Sequence, residues 1–322
     1  MEYQPYTDLA LEESERFFRD TGQSQIPGVS MEEERIGPLS VTRVNIWSPQ
    51  GAEAMGKNMG RYVTIDMPSP ENRSRELEEQ VSSVFADEML RLINLPDNAS
   101  VLIVGLGNWN ATPDALGPRV IDQLLVTRHL REFVPPELRG RLRAVAALAP
   151  GVLGTTGIET FEIIKAVVER IRPNLVIAVD SLCARNISRI MTTIQISDTG
   201  IHPGSGVGNK RSGLTPESLG VAVIAVGVPT VVHAMTIASN TIDVLIERLG
   251  TNVPFYEFLK EMGGHNKEKL IEDVLSPSVG HMVVTPKEID VLIEETSRIL
   301  SSGLNAAMHK GIGYEELSRY VM

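Results

Sequence analysis

Cysteine is nearly absent from this chain: Cys183 is the only one in 322 residues. A single thiol excludes an internal disulfide framework and a Cys-rich zinc site, and it suits a reducing compartment. Long apolar runs are missing as well. The longest, Val221 to Val228, is too short to cross a bilayer and stops at Pro229. Met1 to Phe18 carries Glu2, Asp8, Glu12, Glu13 and Glu15 without an apolar stretch, so it does not read as a signal peptide. The sequons at Asn72, Asn98, Asn110 and Asn186 then read as chance matches. Positive charge is scarce: thirty Lys plus Arg stand against forty-one Asp plus Glu, a net charge of −11. That balance argues against nucleic acid or a membrane surface as a partner and fits a cytoplasmic protein.

Several catalytic signatures are also missing. No G-x-S-x-G elbow follows a strand, since the serine of GSGVG lies in a loop. GLGN after the Val101 strand lacks the third glycine of a dinucleotide fingerprint. GSGVGNKRSG (Gly204 to Gly213) has Asn209 and Arg211 where a phosphate loop needs Gly and Ser or Thr. No cofactor is expected.

What is present is a β-α rhythm. The first forty residues are polar and acidic, interrupted by Pro27 and Pro38, and are expected to form a loosely held arm. Leu39 to Ile46 and Tyr62 to Met67 read as strands. Glu71 to Leu95 reads as an amphipathic helix with Leu77, Val81, Val84, Phe85, Met89 and Leu92 on one face, started by Ser69 or Ser74. VLIVGLG, RLRAVAALAP, LVIAVD and VAVIAVG then read as strands separated by helices over Ala115 to Val126 and Ile158 to Ile171, with a further helix from about Thr230 to Leu249. Met191 to Ile196 is an extra strand. Thr285 and Glu288 could form a capping box before a C-terminal helix. Repeated β-α-β units imply an α/β fold, a twisted, mostly parallel sheet with helices on both faces. The simplest organisation is one α/β body with insertions around 200–213 and 251–280.

In such sheets ligands sit beyond the carboxyl ends of the strands. Asp114, in the loop GLGNWNATPDALGP, and Asp180, ending LVIAVD, reach that edge from separate strands. Paired carboxylates can have their pKa values pushed apart, one holding a proton while the other activates water. The bland alternative makes Asp114 a helix N-cap and has Asp180 satisfy loop amides, although a charge ending a buried strand is costly to place without purpose. Asp66 is a third, weaker candidate. Cys183 reads as a small buried hydrophobe rather than a nucleophile. His233 could join Asp114 and Asp180 as a metal ligand, but a lone helix histidine is more often structural, and no metal is expected.

VLIVGLGNWNATPDALGPRV, ALAPGVLGTTGIET, AVDSLCAR and IHPGSGVGNKRSGLT resemble the spore germination endopeptidases of endospore-forming bacteria, over nearly the whole chain. The strand–loop–aspartate plan is also similar to hydrogenase maturation proteases. The resemblance implies an atypical aspartic peptidase whose two essential aspartates are Asp114 and Asp180. It implies small acid-soluble spore proteins as substrates in the spore core, cut after an acidic residue within Glu–(Ile or Phe)–Ala–x–Glu. It also implies a self-processing zymogen and a homotetramer. Aligned with that motif, Asp8–Leu9–Ala10–Leu11–Glu12 predicts removal of residues 1–8 by cleavage between Asp8 and Leu9, leaving 9–322 as the peptidase domain. Extended, polar and ahead of the first strand, the arm can reach a cleft; otherwise Thr7 or Asp8 simply caps a helix. Arg185, Lys210 and Arg211 are candidates to receive the substrate glutamate. The rivals are a metal-dependent peptidase of the hydrogenase-maturation type and a non-catalytic α/β protein that shelters a small acidic ligand.

Overall fold

The computed structural model describes residues 7–130, 141–202, 212–249 and 282–309. Lys210, Arg211 and the whole of the 251–280 insertion lie outside the described residues. Four mostly apolar strands form a parallel centre: β4 (Ser100–Gly105), β5 (Ala144–Leu148), β6 (Leu175–Ala184) and β8 (Ala222–His233). Antiparallel strands extend one side: β1 (Val29–Ile36), β2 (Leu39–Ile46), β3 (Gly60–Asp66) and β7 (Thr193–Ser197). The order is β1-β2-β3-β7-β8-β6-β4-β5, and β9 (Val283–Val284) pairs with β8. This is the expected α/β class.

Strand alternation sends each face of the sheet to a different helical layer. Val101, Ile103, Leu175, Ile177 and Val179 join a core with α3 (Arg75–Leu92), α4 (Leu116–Asp122) and α9 (Ile289–Met308). Leu102, Val104, Val176 and Ala178 pack on the other face with α6 (Thr160–Ile171) and α7 (Pro216–Leu219). Four shorter or peripheral helices complete the described set: α1 (Ala10–Thr21), α2 (Pro49–Met55), α5 (Leu153–Thr156) and α8 (Ala234–Leu249). Ser74 starts α3, its side chain accepting from the Leu77 N–H at 3.3 Å. Among the described residues no helix is long and apolar enough to cross a membrane.

Four expectations change. The N-terminal segment is not a loose arm: α1 (Ala10–Thr21) and β1 both lie within it, and Leu9 and Ala10 are fully buried. Strand β8 continues through Pro229 to His233 instead of yielding to a helix at Thr230. The β6–β8 register shifts between Leu182 and Cys183, opposite Pro229, and such a bulge accommodates a residue that cannot donate to the ladder. Beyond Asp180, β6 likewise continues to Ala184. The Thr285–Glu288 capping box does not form, because the Thr285 hydroxyl donates to the Thr230 carbonyl (2.9 Å) and no side chain caps α9.

Candidate active site

Two short segments hold Asp114 near Asp180 of β6. After β4 the chain turns through a 3-10 turn, Thr112–Asp114, and enters α4. Ala115, not Asp114, is the N-cap of α4, and no side chain caps it. The Leu106 N–H donates to the Val179 carbonyl (2.8 Å), tying the loop to β6, and the Asn108 N–H donates to the Asp114 carbonyl (3.0 Å), closing the loop on itself. Gly117 makes the close approach possible. A Cβ there would lie 2.2–2.6 Å from backbone atoms of Leu106 and Val179, so only glycine lets α4 seat against the strands.

Asp180 is buried, with its Oδ1 accepting from the Ser181 N–H at 2.8 Å. Burial pushes its carboxyl well above the ordinary range. The neighbouring Asp114 and, more weakly, Asp8 charges add to the rise, and the Ser181 amide opposes it. A buried carboxyl beside like charge is shifted toward its protonated form, the form a general acid needs.

Asp180 also belongs to a row that crosses the sheet. It pairs with Gly227 of β8, which pairs with Gln195 of β7. Laterally paired residues face the same side, so Asp180 and Gln195 flank a glycine at roughly 10 Å, two strand spacings. A cavity of about 430 Å³ opens here, bounded in part by Asp8, Lys57, Leu182, Gln195, His202 and Gly227.

The N-terminal segment lies across this row. The Asp8 N–H donates to the Cys183 carbonyl (3.0 Å), and the Cys183 N–H donates to the Asp8 carboxylate (2.8 Å). The Asp8 carbonyl accepts from the Gln195 side-chain amide (2.9 Å) and the Lys57 ammonium (3.0 Å). Gln195 also accepts from the Ala10 N–H (2.6 Å), so one side chain grips the backbone on both sides of Leu9. Leu9 packs with Leu182, Ala184 and Ile201, while Ala10 enters a cluster with Val44, Ile46, Met55 and Tyr62. Glu12 accepts from the backbone N–H groups of Arg185 and Asn186, both at 2.8 Å, and lies 3.6 Å from the Arg189 guanidinium. Thr7 does not cap α1 from the N-cap position, which is Leu9; its hydroxyl accepts from the Leu9 N–H and donates to Glu12.

The remaining candidates sort as follows. Arg185 meets the acidic residue Glu12 through its backbone, not its guanidinium, and burial lowers that guanidinium's pKa. Lys57, Gln195 and Arg189 were not singled out in the sequence. Lys57 lies in a glycine-rich link, Gln195 inside a strand and Arg189 four residues past Arg185, positions that only the folded chain connects to the arm. Asp66 is engaged by Arg189 (3.0 and 3.1 Å) and the Thr193 hydroxyl (2.6 Å), a structural role. The Cys183 thiol is buried, and burial and then Asp8 push its pKa up to about 12, so no thiolate is available at neutral pH. His233 ends β8, and among the described residues no three His, Cys, Asp or Glu side chains converge as a ligand set. Asp114, Asp180 and His233 therefore do not assemble into one.

The sequence matches the germination protease family over residues 6–257 and 255–321. It is 50% identical to the germination protease of Caldanaerobacter subterraneus subsp. tengcongensis, covering 97% of both chains. Identity is 43% to the germination protease of Clostridium tetani, over 98% of each chain. It is 42% to that of Bacillus subtilis, over 98% of this chain and 96% of the relative. With matches that span both aspartates and the N-terminal segment laid beside them, this chain belongs to the germination protease family, a family of peptide hydrolases.

Proposed function

We propose that this protein is a self-processing endopeptidase that cuts small acid-soluble spore proteins after acidic residues in the germinating spore core, with Asp180 as general acid and Asp114 as general base. The observation that carries the reading is the seating of Asp8 and Leu9. An acidic residue, a large apolar residue, a small residue and a second acid occupy successive partners next to a buried aspartate whose pKa is raised.

On this reading the intact chain is a zymogen because its own segment fills the site a substrate needs. Water, deprotonated by Asp114, attacks the Asp8 carbonyl carbon, and Asp180 delivers its proton to the departing Leu9 nitrogen. The new amino terminus at Leu9 still occupies the downstream partners, so leaving the cleft is a separate step from the cut. The homotetramer and spore-core location implied by the resemblance belong to the same proposal.

The test is N-terminal sequencing of purified full-length protein incubated under activating conditions, beside Asp114→Asn and Asp180→Asn. The expected product begins at Leu9, both variants remain intact, and a chelator changes nothing. A mature form still beginning at Met1, or Asp180→Asn cut at the normal rate, would sink the scheme.

A further inference from the structure

The acid–base pair leaves one requirement unmet: the oxygen of the attacked carbonyl gains negative charge and needs donors aimed at it. Such donors are worth most where water is excluded. The Asp8 carbonyl oxygen already has two. Gln195 Nε2 lies at 2.9 Å and Lys57 Nζ at 3.0 Å, and Lys57 also reaches the Thr7 carbonyl at 3.0 Å. Both groups border the cavity beside Gly227. Neither is needed by the sheet. Gln195 takes its place in the β3–β7–β8 ladders through its backbone, and a buried glutamine side chain in the row of Asp180 is expensive unless its amide is used. Here both ends of that amide are spent on the arm. Lys57 extends from the turn after α2, whose C-cap is Gly56 in the left-handed region.

Resting on the reading of the arm as substrate, we infer that Lys57 and Gln195 form the oxyanion pocket of this enzyme. They hold the carbonyl oxygen of the residue before the cut and stabilise its charge as water adds. In the step, the water oxygen bonds to the carbonyl carbon and one water proton passes to Asp114. The carbonyl π pair moves onto the oxygen held by Lys57 and Gln195. When the oxygen's charge returns to the carbon, the C–N bond breaks and the Asp180 proton goes to the Leu9 nitrogen. Asp8 ends as a carboxyl group and Leu9 as a free amine. Burial lowers the proton affinity of Lys57, and the Asp8 carboxylate opposes that lowering more strongly than Glu13 and Glu12 do. An acidic residue before the cut therefore supports the donor that its own carbonyl uses.

The test compares first-order self-cleavage of full-length wild type with Lys57→Met, Lys57→Arg, Gln195→Leu and Gln195→Glu. N-terminal sequencing follows the product, and hydrogen exchange at the Leu9 amide reports whether the arm stays seated. Lys57→Met and Gln195→Leu are each expected to slow the cut on the order of 10²-fold, the usual effect of losing one such donor. Leu9 protection should survive in Lys57→Met, and Lys57→Arg should recover part of the rate. Gln195→Glu keeps the acceptor for Ala10 but not the donor, so it should be as slow as Gln195→Leu even if the latter folds poorly. Rates within threefold of wild type, or slow cutting accompanied by lost Leu9 protection, would overturn the assignment and leave the two residues as anchors. If wild type is never cut between Asp8 and Leu9, the functional reading fails and takes the pocket with it. If it is cut but Asp180→Asn cuts equally fast, only the aspartate chemistry fails, and the Lys57 and Gln195 variants still decide the pocket.

Discussion

Glu12 offers the sharpest test of the register in which the arm binds. Only 2% of its surface is exposed, and its carboxylate is the acceptor for two main-chain amides, those of Arg185 and Asn186, each at 2.8 Å. A peptide spanning Tyr6 to Arg16, offered to the processed enzyme, should make the same bonds. Changing the residue equivalent to Glu12 to Ala removes both and leaves two donors facing an apolar methyl. At about 1.5 kcal/mol for each hydrogen bond to a charged group, the loss is about 3 kcal/mol. That corresponds to roughly 10²-fold in kcat/KM at 1.4 kcal/mol per tenfold. Gln keeps one oxygen but presents an NH₂ to the second amide, so a loss of about tenfold is expected. The loss should fall mainly on KM, since these contacts lie four residues from the cut and do not change as the bond breaks. The equivalent of Glu13→Ala is the control, because Glu13 pairs with Arg16 of its own helix at 2.8 Å. Peptide cleavage followed by chromatography would settle it. An Ala-for-Glu12 peptide cut within threefold of the parent would refute the register.

Two further outcomes follow from the site. The raised pKa of Asp180 means the folded state holds a proton that the unfolded chain releases near its ordinary value, so this group's favourable contribution is present below about pH 4 and is lost as pH rises through the raised value. Asp180→Asn should therefore melt at a higher temperature than wild type at neutral pH and lose that advantage near pH 4; equal melting temperatures at both pH values would contradict the burial argument. Gly117→Ala should lose roughly 1–3 kcal/mol of stability through overpacking and most of its cleavage activity, because the added methyl meets backbone rather than a movable side chain. Circular dichroism melts and the self-cleavage assay check this, and a fully active, equally stable variant would show that α4 can shift without moving Asp114.

Much of the α/β body was legible because its signals are local. The continuous apolar runs of β4, β6 and β8 and the helical period of α3 follow from which residues stand two or 3.6 positions apart, and Asp114 and Asp180 could be named because each ends a recognisable segment. The same locality misjudged the first forty residues. Glu12 and Glu13 look solvated in a polar string, yet α1 is held by partners more than 170 residues away, at Arg185, Asn186 and Gln195. It also ended β8 before Pro229, because a proline reads as a stop unless its own strand bulges there, as β8 does at Thr230. Which side chains surround the Asp8–Leu9 bond was decided only by tertiary structure. The row Asp180, Gly227, Gln195 exists because an antiparallel β7 pairs beside a parallel β8, and strand order is set by packing across the sheet, not by spacing along the chain. Lys57 enters the same site from a turn 138 residues before Gln195, brought there by the pairing of β3 with β7.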